Sequence, residues 1–70
     1  MFILKYRRYY EEGQASFDTI QEAEEHADGM LEFDAGFPIS ITKDDRIVIA
    51  YIFKNLRVEK QDFSHLFTDL

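Results

Sequence analysis

The first apolar residues of the chain fall at every second position. In residues 2–10, FILKYRRYY, one face collects Phe2, Leu4, Tyr6, Arg8 and Tyr10, and the other Ile3, Lys5, Arg7 and Tyr9. A period of two predicts a β-strand, with the first set toward the core and Tyr6 and Tyr10 as core residues. EEGQ follows, and Gly13 marks the turn because glycine takes positive φ without a steric penalty. Residues 15–17, ASF, then return as a short second strand.

The period next changes to that of a helix. Thr19 and Glu22 form a T-x-x-E capping box, in which each side chain satisfies a backbone N–H of the first turn. Ile20, Ala23, Ala27, Met30 and Leu31 make one apolar stripe, Gly36 supplies a left-handed C-terminal residue, and Pro38 prevents the helix from resuming. Gly29 costs the helix about 1 kcal/mol relative to alanine. A close approach of helix to sheet at that position would explain it. The outer face carries Gln21, Glu22, Glu24, Glu25, Asp28 and Glu32, none with a Lys or Arg one turn later. Glu24, Asp28 and Glu32 are like charges at successive turns, so this face lacks the ion pairs that ordinarily stabilise a solvated helix.

Beyond Pro38 the period of two returns. Ile39 and Ile41 alternate with Ser40 and Thr42, Lys43, Asp44 and Asp45 supply a turn, and RIVIAYIF at 46–53 is the return strand of a hairpin. That strand is apolar on both faces. Ile47, Ile49, Tyr51 and Phe53 are assigned to the helix side, which leaves Val48, Ala50 and Ile52 in need of cover. Residues 55–70 are the natural candidate, as a docking or dimerisation tail. Leu56 and Val58 keep strand spacing, and Asp62 caps a last short helix whose Phe63, Leu66, Phe67 and Leu70 recur at one face. Either Phe63, Leu66 and Phe67 cover the second face, or the matching strand of another copy does.

These elements give a single α+β domain over residues 1–70. An antiparallel sheet of three to four strands carries one amphipathic helix on one face, in the order β(β)αββ, with a short C-terminal strand or helix. Seventy residues bury only about 60% of the surface of the unfolded chain, so apolar surface left bare is costly at this size. Yet the chain is 46% hydrophobic, with seven Phe and four Tyr. Either the core is dense in aromatics or part of that surface is buried between chains.

Charge narrows the partners. The net charge is −6, and between Tyr9 and Thr42 there are nine acids and no Lys or Arg. Such a surface opposes binding to phosphate backbones and favours a basic protein partner. KYRRYY interleaves bases with aromatics, as in proteins that stack nucleic-acid bases, but the same residues suit protein contacts, and the acidic remainder favours the latter. No Cys is present, which removes disulfides and thiolate chemistry and fits a reducing cytoplasm. After Met1 only three apolar residues precede Lys5, too few for a signal peptide, and no segment reaches the length of a membrane span.

No catalytic, metal-binding or nucleotide-binding motif stands out, and no cofactor is implied. His26 and His65 are thirty-nine positions apart, without the spacing of a zinc site. The helix carboxylates lie on a convex surface rather than in a cleft that would hold them in unlike environments for acid–base work. The expectation is a non-enzymatic interaction module, a small cytoplasmic regulator, adaptor or inhibitor of the kind phages and mobile elements encode. It would bind through Glu24, Glu25, Asp28 and Glu32, with Arg7 and Tyr9 as further contacts, and self-associate through Val48, Ala50, Ile52, Phe63, Leu66 and Phe67. The alternative is a homo-oligomer that holds a small anionic ligand between subunits, using Arg7, Arg8 or Lys54 and tyrosine rings.

Overall fold

The computed structural model describes residues 1–68. The chain is α+β: β1 (Phe2–Arg8), β2 (Glu11–Phe17), α1 (Ile20–Glu32), β3 (Phe37–Lys43), β4 (Arg46–Lys54), β5 (Arg57–Asp62) and a 3-10 turn at Ser64–Leu66. The strands form one antiparallel sheet in the order β2-β1-β3-β4-β5, so there are five strands where the pattern suggested three to four. The helix packs on β3, β1 and β2. Phe2, Leu4, Ala23, Ala27, Met30, Ile41, Val48, Ile49 and Tyr51 are buried in the core, with Tyr6, Phe17, Ile20, Val58 and Phe67 packed around them.

The first turn falls earlier than glycine suggested. Arg8 pairs with Glu11, so the β1–β2 turn is Tyr9-Tyr10, both at positive φ (51° and 69°), and β2 is a full strand that includes Gly13. Tyr10 is therefore fully exposed at a hairpin tip and not in the core. Gly13 serves packing. It lies opposite Tyr6, and a Cβ there would sit 2.6 Å from the tyrosine ring, so the absent side chain makes the bed on which Tyr6 lies.

The helix begins as its sequence dictates. Thr19 accepts a hydrogen bond from the Glu22 N–H (3.2 Å) and donates its hydroxyl to Glu22 Oε1 (3.1 Å). It ends in a Schellman motif, with the Ala35 N–H donating to the Met30 carbonyl (2.9 Å) and Asp34, not Gly36, as the left-handed residue (φ 53°). Gly36 is needed for another reason: at φ 150° it passes the end of β1, where a Cβ would lie 3.1 Å from the Arg7 carbonyl oxygen. Gly29 meets nothing within 4 Å of a built Cβ, so no close helix–sheet approach requires it.

The two-faced strand is resolved by a β-bulge. Ile41 pairs with Ile49 but Thr42 pairs with Ile47, which makes Val48 an extra residue in β4. Two successive residues then turn inward: Val48 and Ile49 are both fully buried, whereas Ile47 is 52% exposed. The second face therefore does not carry Val48; it carries Ala50, half-buried, and Ile47 and Ile52, both exposed. Residues 57–62 extend the sheet as β5. Only a single 3-10 turn follows, with Asp62 Oδ1 accepting from the Ser64 N–H (2.8 Å) and the Phe63 N–H donating to the Val48 carbonyl (2.8 Å). The tail thus lies across the bulge, with Phe67 against the core and Leu66 exposed. Leu70 lies outside the described residues.

Candidate interaction surface

Strand direction collects the turns. In this antiparallel order β1 and β4 run the same way, so the β1–β2 tip and the β4–β5 tip lie at one end of the sheet, with the start of β3 and the C-terminus of α1 between them. The β4–β5 turn is Asn55-Leu56, again at positive φ (53° and 64°). That end gathers Tyr9, Tyr10, Phe33, Phe37, Phe53 and Leu56, all exposed. Phe53 shares the face of Tyr51, but α1 packs over β1, β2 and β3, so its ring is left in solvent against Phe37 (centroids 6.2 Å apart, edge-to-face).

Two-residue turns with both residues at positive φ favour Asn-Gly or Asp-Gly. Asp44-Asp45, at the opposite end, is close to that preference. Tyr-Tyr and Asn-Leu are not, because a bulky L-residue in the left-handed region costs roughly 1 kcal/mol or more. At both tips the strained positions carry large apolar side chains that touch little: Tyr10 is 100% and Leu56 92% exposed. Strain of this kind at an exposed site is a reason to look for function there.

The same end is concave. One depression of about 370 Å³ is lined by Arg7, Arg8, Tyr9, Tyr10 and Phe37 together with 34–36, and a second of about 580 Å³ by Phe37, Pro38, Ile39, Tyr51, Phe53 and Val58, with the Arg7 and Glu12 pair at its side. Arg7 and Tyr9 are thus brought together. The first depression also holds Asp34 in its wall, which offsets the arginines as an anion site, and Lys54 stands at the other hairpin. Arg7 pairs across the strands with Glu12 (3.6 Å), and Arg8 lies 6.0 Å from the Tyr9 ring centroid.

The acidic helix is less bare than its sequence. Lys60, on β5, reaches it: Nζ is 2.7 Å from Glu24 Oε2 and 3.9 Å from Asp28 Oδ2. The base missing at the next helical turn comes from an edge strand instead. The Glu24 hydrogen bond, aided by Asp28 and Asp62, raises the Lys60 ammonium above its ordinary value. Beneath this pair lies the Tyr51 hydroxyl, buried and without a hydrogen-bond partner among the described residues. Burial first, and then the nearby Asp28, Glu24 and Asp62, push its pKa well up. Glu25 and Glu32 are exposed on the outer face, on the same element but outside the Lys60 contact.

The self-association set is dispersed. Val48 is buried in its own core, Ala50 and Ile52 lie on the sheet face away from the helix, and Phe63, Leu66 and Phe67 cross the bulge. Among the described residues, no group of three or more His, Asp or Glu could hold a metal ion, and no helix is long and apolar enough to cross a membrane. Comparisons with family models, curated proteins and solved structures find no match for this chain.

The signal that could have revealed this end is electrostatic. Arg7 and Arg8 stand before Tyr9-Tyr10, with Glu11 and Glu12 after, a mirror order that pairs opposite charges across a two-residue turn. Glycine at position 13 masked it.

Proposed function

We propose that this protein is a non-enzymatic interaction module, of the regulator, adaptor or inhibitor class, and that its contact surface is the aromatic end. The observation that carries this reading is the exposure of Tyr9, Tyr10, Phe33, Phe37, Phe53 and Leu56 at one end, with the tips on turns that their residue types disfavour. Their exposure is divided between the two hairpin tips and the Phe37–Phe53 pair between them. Large apolar side chains gathered at one exposed end, rather than scattered singly, mark an interaction site.

The acidic helix face is the weaker candidate for primary contact, because Lys60 already engages Glu24 and Asp28. Its charge serves solubility and steers a basic partner toward the molecule. Capture on immobilised protein tests the choice. Tyr9→Asn with Tyr10→Gly should abolish partner capture, and charge reversal at Glu24, Glu25 and Asp28 should at most slow it. The opposite result would return the contact to the helix.

A further inference from the structure

Resting on the reading of the aromatic end as the contact surface, we infer that its occupant is a second copy of this chain, docked end to end about a two-fold axis. The charge map supports this. At the aromatic end Arg7, Arg8, Lys54 and Arg57 balance Glu11, Glu12, Glu32 and Asp34, so the whole net charge of −6 resides elsewhere on the chain. Most of that excess is on α1, at Glu22, Glu24, Glu25 and Asp28, so two copies repel through their helices and meet without that penalty here.

The end is also self-complementary. Lys54 and Arg57 sit directly opposite each other at the base of the Asn55-Leu56 tip, a like-charge pair with no carboxylate partner among the described residues. Glu32 and Asp34 stand at the C-terminus of α1, the negative end of the helix dipole, which has no basic residue in its last turn. Among the described residues neither group forms an ion pair within 4 Å, although Arg7 and Arg8 line the same depression as Asp34. The two groups lie on different halves of the same end, the first at β4–β5 and the second beside β1 and β3. A two-fold axis through the end brings each group against the other's counterpart in the partner, as an isologous interface requires.

Sedimentation over about a hundredfold concentration range tests this, since a dimer forms by mass action. Wild type should convert from monomer to dimer. Lys54→Glu with Arg57→Glu should stay monomeric, as should Glu32→Lys with Asp34→Asn, which keeps a residue tolerant of the left-handed region. Mixing these two variants should restore the dimer, a rescue that general unfolding cannot produce. A dimer that persists in both variants, or a mixture that stays monomeric, overturns the two-fold docking. A wild type that is monomeric throughout overturns the second copy as occupant, and flotation with phosphatidylcholine vesicles, or co-elution with another protein, would then identify the occupant. The aromatic-end reading fails separately, if Tyr9→Asn with Tyr10→Gly leaves partner capture unchanged.

Discussion

At the scale of single residues, conformation and side chain disagree at two places. Leu56 occupies a left-handed position that glycine fits better, so Leu56→Gly should stabilise the fold by about 1 kcal/mol, measured by urea unfolding. A loss of stability would mean that Leu56 packs within its own chain. Tyr51 buries a hydroxyl without a partner, and an unsatisfied buried group costs about 1–3 kcal/mol. Tyr51→Phe should therefore raise stability by about 1 kcal/mol, and a clear loss would reveal a hydrogen bond to that oxygen. The sequence offers no sign of this orphan, because Tyr51 reads there simply as an apolar member of the strand.

At the scale of elements, local chemistry explains what was legible. The Thr19–Glu22 cap, the helical stripe and the turn after β3 are each specified within a few residues, and they stand in the structure except that Leu31 of the stripe is exposed and Lys43 pairs with Arg46 in the strand, leaving Asp44-Asp45 as the turn. The bulge is not, since one inserted residue has no composition of its own yet reverses the faces of Ile47 and Val48. Nor is the Lys60 bridge, which joins residues about thirty-two to thirty-six apart through tertiary packing. Lys60→Met should cost about 0.5–1 kcal/mol at neutral pH, since the pair is partly solvated and Glu24 and Asp28 would then repel unrelieved. The pH dependence has a definite sign. Lys60 and Tyr51 both have native values above their unfolded ones, so their contributions hold below about pH 10 and are lost as pH rises past it. Lys60→Met and Tyr51→Phe should each flatten that alkaline decline. The Asp62 carboxylate is held below its ordinary range by the Ser64 hydroxyl and N–H, so its contribution holds above about pH 3.9 and is lost as pH falls below it.

At the scale of the whole molecule, the chain separates charge from apolar surface. Glu22, Glu24, Glu25 and Asp28 of α1 carry most of the excess charge of the described residues, while one electroneutral end carries aromatic tips on turns that resist them. A chain selected for stability alone would place Asn-Gly at those tips, and replacing Tyr9-Tyr10 by Asn-Gly should make the fold more stable while removing its contact surface. Arg7 and Tyr9 were legible as contacts because bases interleaved with aromatics stand out locally. Phe33, Phe37, Phe53 and Leu56 were not, since only the sheet order brings residues 33–37 and 53–56 to the same end as Tyr9-Tyr10. The most direct measurement is the change in backbone amide chemical shifts as the protein is concentrated. Contact through the aromatic end predicts shifts confined to the two hairpin tips, the C-terminus of α1 and the start of β3, with Glu25 and Asp28 unmoved. Shifts centred on the outer face of α1, or on Ala50 and Ile52, would contradict it.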